Sequence, residues 1–126
     1  MQPVNLFALA SQQARWLAVR QTAVSSNIAN ANTPGYAAVD VEPFEAVLDK
    51  SSVAMRATHP MHVLPANASN GFAVRQTNDD SPTMPSGNTV ELETELMKSG
   101  EVRRNFELNA GIVRSFHRML LMTTQG

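Results

Sequence analysis

The sequence contains no cysteine, few aromatic residues and almost no net charge. Of its 126 residues 6% are aromatic, and ten Lys and Arg nearly balance eleven Asp and Glu. Without cysteine the chain forms no disulfide, performs no thiol catalysis and builds no zinc site with thiolate ligands. A formal charge of −1 provides no overall field that would attract nucleic acid or anionic lipid, so neither is expected as a partner.

Long apolar runs and a recognisable secretory leader are also missing. No run approaches the ~18 apolar residues that a membrane-spanning helix needs, so we expect no direct membrane insertion. The N-terminal residues lack a basic cluster ahead of an apolar stretch, and we therefore expect no cleaved signal peptide. Hydrophobic residues still make up 43% of the chain, which is typical of one folded domain and not of a disordered chain.

Proline is distributed unevenly along the chain. Six of the seven prolines lie between Pro34 and Pro85, whereas the flanking segments contain none beyond Pro3. Because proline removes a backbone donor and clashes with the preceding helical turn, only the flanks can form long helices. The sequence therefore predicts three regions: an N-terminal helix in 1–33, an extended turn and loop segment in 34–87, and a C-terminal helix in 88–126.

Apolar residues of the N-terminal flank recur with the period of an α-helix. At 100° per residue they form one narrow stripe, which consists of Leu6, Ala10, Leu17, Val24, Ile28 and Ala31. Gln13 and Arg20 interrupt this stripe, so the helix has a seam with polar breaks. Asn5 is placed to cap its start. At its end the asparagines before Pro34-Gly35 predict a helix terminus that is followed by a type II turn.

The C-terminal flank carries two apolar strips. The first contains Leu92, Leu96, Phe106, Val113 and Leu120, and the second contains Leu108, Ile112, Met119 and Met122. One strip can pack on the N-terminal helix, and the other needs a partner. That partner is either another chain or the middle segment folded back, and packing alone does not separate the two. Asn88, three residues before Glu91, has the spacing of a capping box at the helix start.

These patterns predict a mainly α fold of elongated shape. The two long terminal helices form an antiparallel, coiled-coil-like pair, and the proline-rich middle segment is irregular and partly β. A helix of about 35 residues is about 52 Å long, whereas a compact globule of this size is only about 36 Å across. Within the middle segment we expect a short helix at Phe44–Leu48 and an extended piece at 71–75.

Residues that could support catalysis are few. His59 and His62 have no further ligand type nearby, and Asp79-Asp80 are followed by Ser and Pro as in a solvated turn. No glycine-rich phosphate loop and no nucleophile elbow occurs. We therefore predict no enzymatic activity, no catalytic residue, no cofactor and no metal site.

The residues that follow the N-terminal helix resemble a known motif. The segment Asn27-Ile28-Ala29-Asn30-Ala31-Asn32-Thr33-Pro34-Gly35-Tyr36 closely resembles the motif after the first helix of bacterial flagellar axial proteins. Further elements are similar to those of the proximal rod proteins, namely Asp40, Phe44, Leu48, Thr58-His59, His62 and the opening of the C-terminal helix at 87–95. The chain is thus identified as a member of the flagellar basal-body rod family, closest to one of its two sister proximal rod proteins.

This resemblance implies a function, partners and a location. It implies a structural subunit that polymerises through its terminal helices into part of the drive shaft, with the stripe and strip residues packing on neighbours. The implied partners are other rod subunits, the rod–ring adaptor and the inner-membrane ring. The implied location is the periplasmic rod, reached through flagellar type III export. The alternative is a small helical adaptor or secretion chaperone that binds partner helices in a groove.

Overall fold

The computed structural model describes residues 6–51, 61, 72–77 and 82–125. Its elements are, in chain order, α1 (Leu6–Ala29), β1 (Val39–Val41), α2 (Phe44–Ser51), β2 (Val74–Gln76) and α3 (Leu92–Thr124). The predicted mainly α class, with two long terminal helices and a small amount of strand between them, is confirmed. The predicted cap at Asn5 lies outside the described residues. Within the described residues, no helix is both long enough and apolar enough to cross a membrane.

Helices α1 and α3 pack against each other in antiparallel orientation. At one end the rings of Phe7 and Phe116 meet edge to face, with centroids 5.2 Å apart. At the other end the side-chain amide of Asn88 donates to the carbonyl of Asn30 at 2.8 Å. The 33 residues of α3 span about 50 Å and the 24 residues of α1 about 36 Å. The described subunit is therefore elongated along its helix pair.

The hydrophobic core lies where α1, α3 and the segment from β1 to α2 meet. Its buried members are Trp16, Leu17, Val41, Val47 and Val102, and Val19, Phe44 and Phe72 pack against them. The indole N–H of Trp16 donates to the carbonyl of Glu42 at 2.7 Å, which fixes the chain between β1 and α2. The helix predicted at Phe44–Leu48 is confirmed as α2. It packs on this core through Phe44 and Val47.

Strands β1 and β2 form a two-stranded antiparallel ribbon beside α1. The register pairs Val39 with Gln76, Asp40 with Arg75 and Val41 with Val74. The extended piece predicted at 71–75 is thus present as β2, shifted towards the C-terminus. All three residues of β2 are exposed, whereas Val41 of β1 is buried in the core. The ribbon therefore attaches to the subunit through β1.

Helix α3 begins later than the capping-box spacing predicts, so that prediction is wrong. The N-cap is Glu91, which makes no side-chain capping hydrogen bond, and the first helical residue is Leu92. Asn88 does not cap the helix, because its amide group binds the turn after α1 and its Oδ1 accepts the N–H of Val90 at 2.7 Å. Asparagine side chains bond readily to nearby backbone groups, and here tertiary partners displace the cap.

Candidate functional site

Residues 27–36, which we call the motif turn, close the C-terminal end of α1. The Asn30 side chain donates to the carbonyl of Ser26 at 2.8 Å and accepts from the Thr33 hydroxyl at 3.1 Å. The N–H of Tyr36 donates to the Thr33 carbonyl at 3.3 Å, and Gly35 has φ +74°. A type II turn requires such a positive φ after proline, and glycine supplies it without steric cost. The turn predicted from Pro34-Gly35 is therefore present.

Asn27 is fully buried and joins α1 to β1. Its Nδ2 donates to the carbonyl of Val39 at 2.7 Å, and its Oδ1 accepts the Val39 N–H at 3.0 Å. This pair of bonds satisfies both backbone groups of Val39, as a neighbouring strand would. The hydroxyl of Tyr36 lies 3.1 Å from the Ser26 hydroxyl and 3.5 Å from Asn27 Oδ1, on the same side of the turn.

Asn88 joins the motif turn to the segment that precedes α3. Its Nδ2 lies 2.8 Å from the carbonyl oxygen of Asn30, 3.0 Å from that of Ala31 and 2.8 Å from that of Thr33. Only 1% of Asn88 is exposed to solvent, and the three carbonyl groups share the two N–H donors of its amide. We call Asn88 and these three carbonyl groups the amide clasp. The sequence showed no partner for Asn88 at such a distance along the chain.

Backbone contacts support the amide clasp on both sides. The N–H of Gly35 donates to the Ser86 carbonyl at 2.9 Å, and the N–H of Thr89 donates to the Tyr36 carbonyl at 3.1 Å. Gly87 has φ +82°, and a Cβ atom there would lie 3.4 Å from the Cα of Gly35. Two glycines thus allow the two segments to approach closely at this point.

The polar residues that interrupt the α1 stripe bind α3. Asn109, which is buried, donates through Nδ2 to Gln13 Oε1 at 2.9 Å and to the Ala10 carbonyl at 3.1 Å. Arg20 reaches Glu101 of α3 at 3.4 Å. The breaks seen in the sequence are therefore sites of polar contact between the two helices.

A network of charged side chains connects α1, β1 and α3. Asp40 lies between Arg20 and Lys98, with an N–O distance of 3.5 Å to each. Arg20 also contacts Glu101, and Lys98 contacts Glu95 at 3.4 Å. The two basic side chains are only 15% exposed, so solvent screens these pairs less than it would at the surface. Within the described part of the chain, the buried Oε2 of Glu95 has no hydrogen-bond partner.

Glu42 is a titratable group whose environment favours its charged form. The hydrogen bond from the Lys50 ammonium is the main cause that lowers the pKa of Glu42 below its ordinary value. The N–H of Ala73 adds to this effect, while partial desolvation opposes it. The carboxylate therefore links the end of β1 to α2 and to the residue before β2.

The residues expected to pack on neighbouring subunits differ in exposure. Leu17 and Val24 are fully buried within the subunit. The half-buried ones are Leu6, Ala10, Ile28, Ala31 and Val113. The exposed ones, all on α3, are Leu92, Leu96, Phe106, Leu108, Ile112, Met119 and Leu120. Most of the large apolar side chains on α3 thus remain exposed on the described subunit.

The exposed residues of α3 form two strips on different sides of the helix. At 100° per residue, the exposed members of the first strip (Leu92, Leu96, Phe106, Leu120) and those of the second strip (Leu108, Ile112, Met119, Met122) have centres about 175° apart. The second strip also lines a shallow groove with Leu6 of α1 and Phe116 of α3. Both strips remain exposed among the residues that the structure describes.

The residues considered for catalysis or metal binding are not among those that the structure describes. His59, His62, Asp79 and Asp80 lie outside the described residues. Among residues 6–51, 61, 72–77 and 82–125, no group of three or more His, Asp or Glu side chains could hold a metal ion.

Two comparisons with known proteins bear on this geometry. The sequence profile of a family described as "Flagella basal body rod protein" matches residues 8–36, which form most of α1 and the motif turn. The "Flagellar basal body rod protein FlgB" of Agrobacterium fabrum strain C58 is 50% identical over 129 residues, covering 99% of this chain and 96% of the relative. The second similarity thus extends to the amide clasp and to α3.

Proposed function

Because this chain belongs to the FlgB family of flagellar basal-body rod proteins, we propose that it polymerises through its two long terminal helices to build part of the rod. Family membership makes it a structural protein of the flagellar basal body and confirms the resemblance identified in the motif turn. The observation that carries the polymerisation proposal is the pair of exposed apolar strips on α3.

Two strips on different sides of one helix favour an open polymer over a closed dimer. When one face of a subunit meets a different face of the next, the contact is heterologous, and its repetition generates a helical filament. Leu96 of the first strip is 56% exposed and Leu108 of the second strip is 63% exposed. Removing such side chains from water stabilises an assembly by roughly 25 cal/mol per Å² of apolar surface.

The exposure of each residue defines its part in this proposal. Leu17 and Val24 act within the subunit, because they hold α1 to the core and are inaccessible to a neighbour. The exposed members of both α3 strips contact neighbouring subunits, and the half-buried residues of α1 lie at the edges of these contacts. The motif turn and the amide clasp keep α1 and α3 in a fixed register, which makes the subunit rigid.

Rigidity is what a drive shaft requires, since torque passes only through contacts that do not yield. Close-packed helices with fixed polar contacts, such as the one between Asn109 and Gln13, provide it.

The remaining parts of the proposal are the periplasmic location, type III export without a cleaved signal, and contact with other rod subunits, the rod–ring adaptor and the inner-membrane ring. No enzymatic activity is part of it.

The test is incorporation into basal bodies in cells that lack the native copy. Leu96→Asp and Leu108→Asp each place a charge in one strip at an exposed position, so the subunit itself should still fold. Both variants are expected to be exported at normal levels, to be missing from purified basal bodies and to abolish motility. Arg118→Gln, an exposed position outside both strips, changes the net charge by the same amount and is expected to incorporate normally.

Purification also separates a subunit from a dissociable adaptor or chaperone. A rod subunit is retained in basal bodies after washing with high salt and mild detergent, whereas a dissociable adaptor is removed. Loss of the wild-type chain in this wash, or normal rods built from both Asp variants, would contradict the proposal.

A further inference from the structure

The sulfur of this chain lies entirely in methionine, because the sequence has seven methionines and no cysteine. The structure describes five of the methionines, and all five are exposed: Met61, Met84, Met97, Met119 and Met122. Methionine is more often a core residue that fills gaps between other side chains. The described methionines therefore contribute little to the core of this subunit.

Three of these methionines lie on one side of α3. At 100° per residue, Met97 lies about 25° from the centre of the second strip, which already contains Met119 and Met122. We call this side of α3, together with Leu108 and Ile112, the methionine face. The exposed fractions of Met97, Met119 and Met122 are 75%, 56% and 67%. The exposed side chains of the first strip, in contrast, are Leu and Phe only.

Two shallow grooves open along the methionine face. Met119 lines the first groove with Leu108 and Ile112. Met97 lines the second groove beside Gly100 and Arg104. A small oxidant dissolved in water can therefore reach these thioether sulfurs without any movement of the backbone.

From this exposure we propose that the methionine face of α3 is a site of reversible oxidation by hydrogen peroxide, and that oxidation prevents its association with neighbouring copies. The thioether sulfur attacks one peroxide oxygen, so that an S–O bond forms and the O–O bond breaks. The proton on the transferred oxygen passes to the departing hydroxide, which leaves as water. The sulfur is oxidised to the sulfoxide by two electrons, and the peroxide is reduced by two.

Reversal needs a reductant from outside the chain, because the chain contains no thiol. A methionine sulfoxide reductase supplies it from a dithiol. The dithiol loses two electrons and becomes a disulfide, and the sulfoxide oxygen leaves as water.

Oxidation changes what the methionine face can pack against. A sulfoxide is a polar hydrogen-bond acceptor where the thioether was apolar. Burying such a group between two subunits without a donor costs free energy. This effect on assembly rests on the polymerisation proposal, whereas the modification of the free subunit does not. Because a neighbour that covers the face also protects it, the free subunit is the form that reacts.

The first experiment measures the modification in the dilute, monomeric chain. Hydrogen peroxide is added, and peptide mass spectrometry follows the gain of one oxygen at each methionine. Met97, Met119 and Met122 are expected to react at nearly the rate that they show in the chain unfolded in urea. Protection of any two of them by about tenfold or more in the folded monomer would overturn the proposal.

The second experiment measures assembly by light scattering, with the combined variant Met97→Leu, Met119→Leu, Met122→Leu as the matched protein. Leucine has nearly the same volume and resists peroxide, so this variant should assemble like wild type before treatment. After treatment, the concentration at which wild type assembles should rise by at least about tenfold, whereas that of the variant should not change. Reductase with a dithiol should restore the wild-type value. Met84→Leu, at an exposed position outside α3, should respond to peroxide as wild type does.

Circular dichroism of the treated monomer separates an effect on association from an effect on the fold. The helical signal should be unchanged, and its loss on oxidation would overturn the proposal. Oxidised wild type that assembles at its original concentration, or a combined variant that loses assembly equally, would also overturn it. Failure of the untreated wild type to assemble is a distinct result. It contradicts the polymerisation proposal and with it the effect of oxidation on assembly, while the first experiment still decides whether the face is a modification site.

Discussion

Asn88 Nδ2 lies 2.8 Å from the carbonyl oxygen of Thr33, although the two residues are 55 positions apart in the chain. The motif turn therefore does not stand alone as a local reverse turn. Its backbone carbonyls are satisfied by a side chain from the segment that leads into α3, which fixes the end of one long helix to the approach of the other. In the rod proposal, this contact sets the register in which the two helices are presented to neighbouring subunits.

Replacing Asn88 with alanine should destabilise the subunit by about 3 kcal/mol. The change removes the donor shared by three carbonyl groups and the acceptor for the Val90 N–H. A buried polar group left without a partner costs roughly 1–3 kcal/mol. Urea denaturation measures the loss as a lower midpoint at an unchanged slope.

The control for this variant is Asn32→Ala. Asn32 lies in the same turn and is exposed, and substitutions at such positions are usually within about 0.5 kcal/mol of neutral. Equal losses from both variants would show that the amide clasp contributes no specific stability.

Adding a methyl group should have opposite effects at two glycines. Neither Gly35 nor Gly111 has a neighbouring atom within 4 Å of the added Cβ, so the effect comes from the backbone alone. Gly35→Ala places alanine at φ +74° and should destabilise by about 1 kcal/mol. Gly111→Ala, inside α3, should stabilise by about 1 kcal/mol. Thermal unfolding measures the shift in melting temperature of each variant relative to wild type. Two shifts of the same sign would contradict this account.

The contact between Glu42 and Lys50 should make stability depend on pH in the acid range. Because the pKa of Glu42 is lowered in the folded state, its contribution is present above the ordinary value of 4.5 and is lost as the pH falls through the lower folded pKa. In Lys50→Met the carboxyl pKa measured by NMR should rise towards 4.5, and the acid-dependent loss of stability should shrink. A Glu42 titration that is identical in both proteins would refute the assigned cause.

The buried pair of Glu95 and Lys98 should respond unequally to removal of either partner. Lys98→Met leaves the 2% exposed Glu95 carboxylate without its only described cation and should destabilise by about 3 kcal/mol. Glu95→Met removes a carboxylate with one unsatisfied oxygen and leaves Lys98 with Asp40, so it should be nearly neutral or stabilising. Chemical denaturation of both variants at neutral pH distinguishes them, and a larger loss for Glu95→Met would contradict the prediction.

The two long helices could be predicted from the sequence because their signals are local. The apolar period of α1 and the absence of proline from both flanks require no knowledge of the rest of the chain. The amide clasp could not be predicted in this way, since the local spacing of Asn88 and Glu91 equally matches a helix cap. The same limit applies to Gln13 and Arg20, which appear in the sequence only as breaks in a stripe. Their meaning depends on Asn109 and Glu101, far along the chain.

The family could be identified from the motif turn because its ten residues are contiguous and unusual. The exposure of the α3 strips could not be identified from the sequence, because apolar periodicity does not reveal which face of a helix packs inside the subunit. Leu17 and Leu108 are equally apolar, yet the first is fully buried and the second is 63% exposed. Leu17 lies on the side of α1 that packs in the core, whereas Leu108 lies about 120° around α3 from Val102, the residue of α3 in that core.

The central claim, that the α3 strips drive self-association, is tested most directly by light scattering on the purified chain over a range of concentrations. Wild type is expected to rise from its 13.7 kDa monomer mass to large assemblies as concentration increases. Leu96→Asp and Leu108→Asp should remain monomeric with unchanged helical circular dichroism, and Arg118→Gln should behave as wild type. A wild-type chain that stays monomeric throughout, or strip variants that assemble as readily as wild type, would contradict the account.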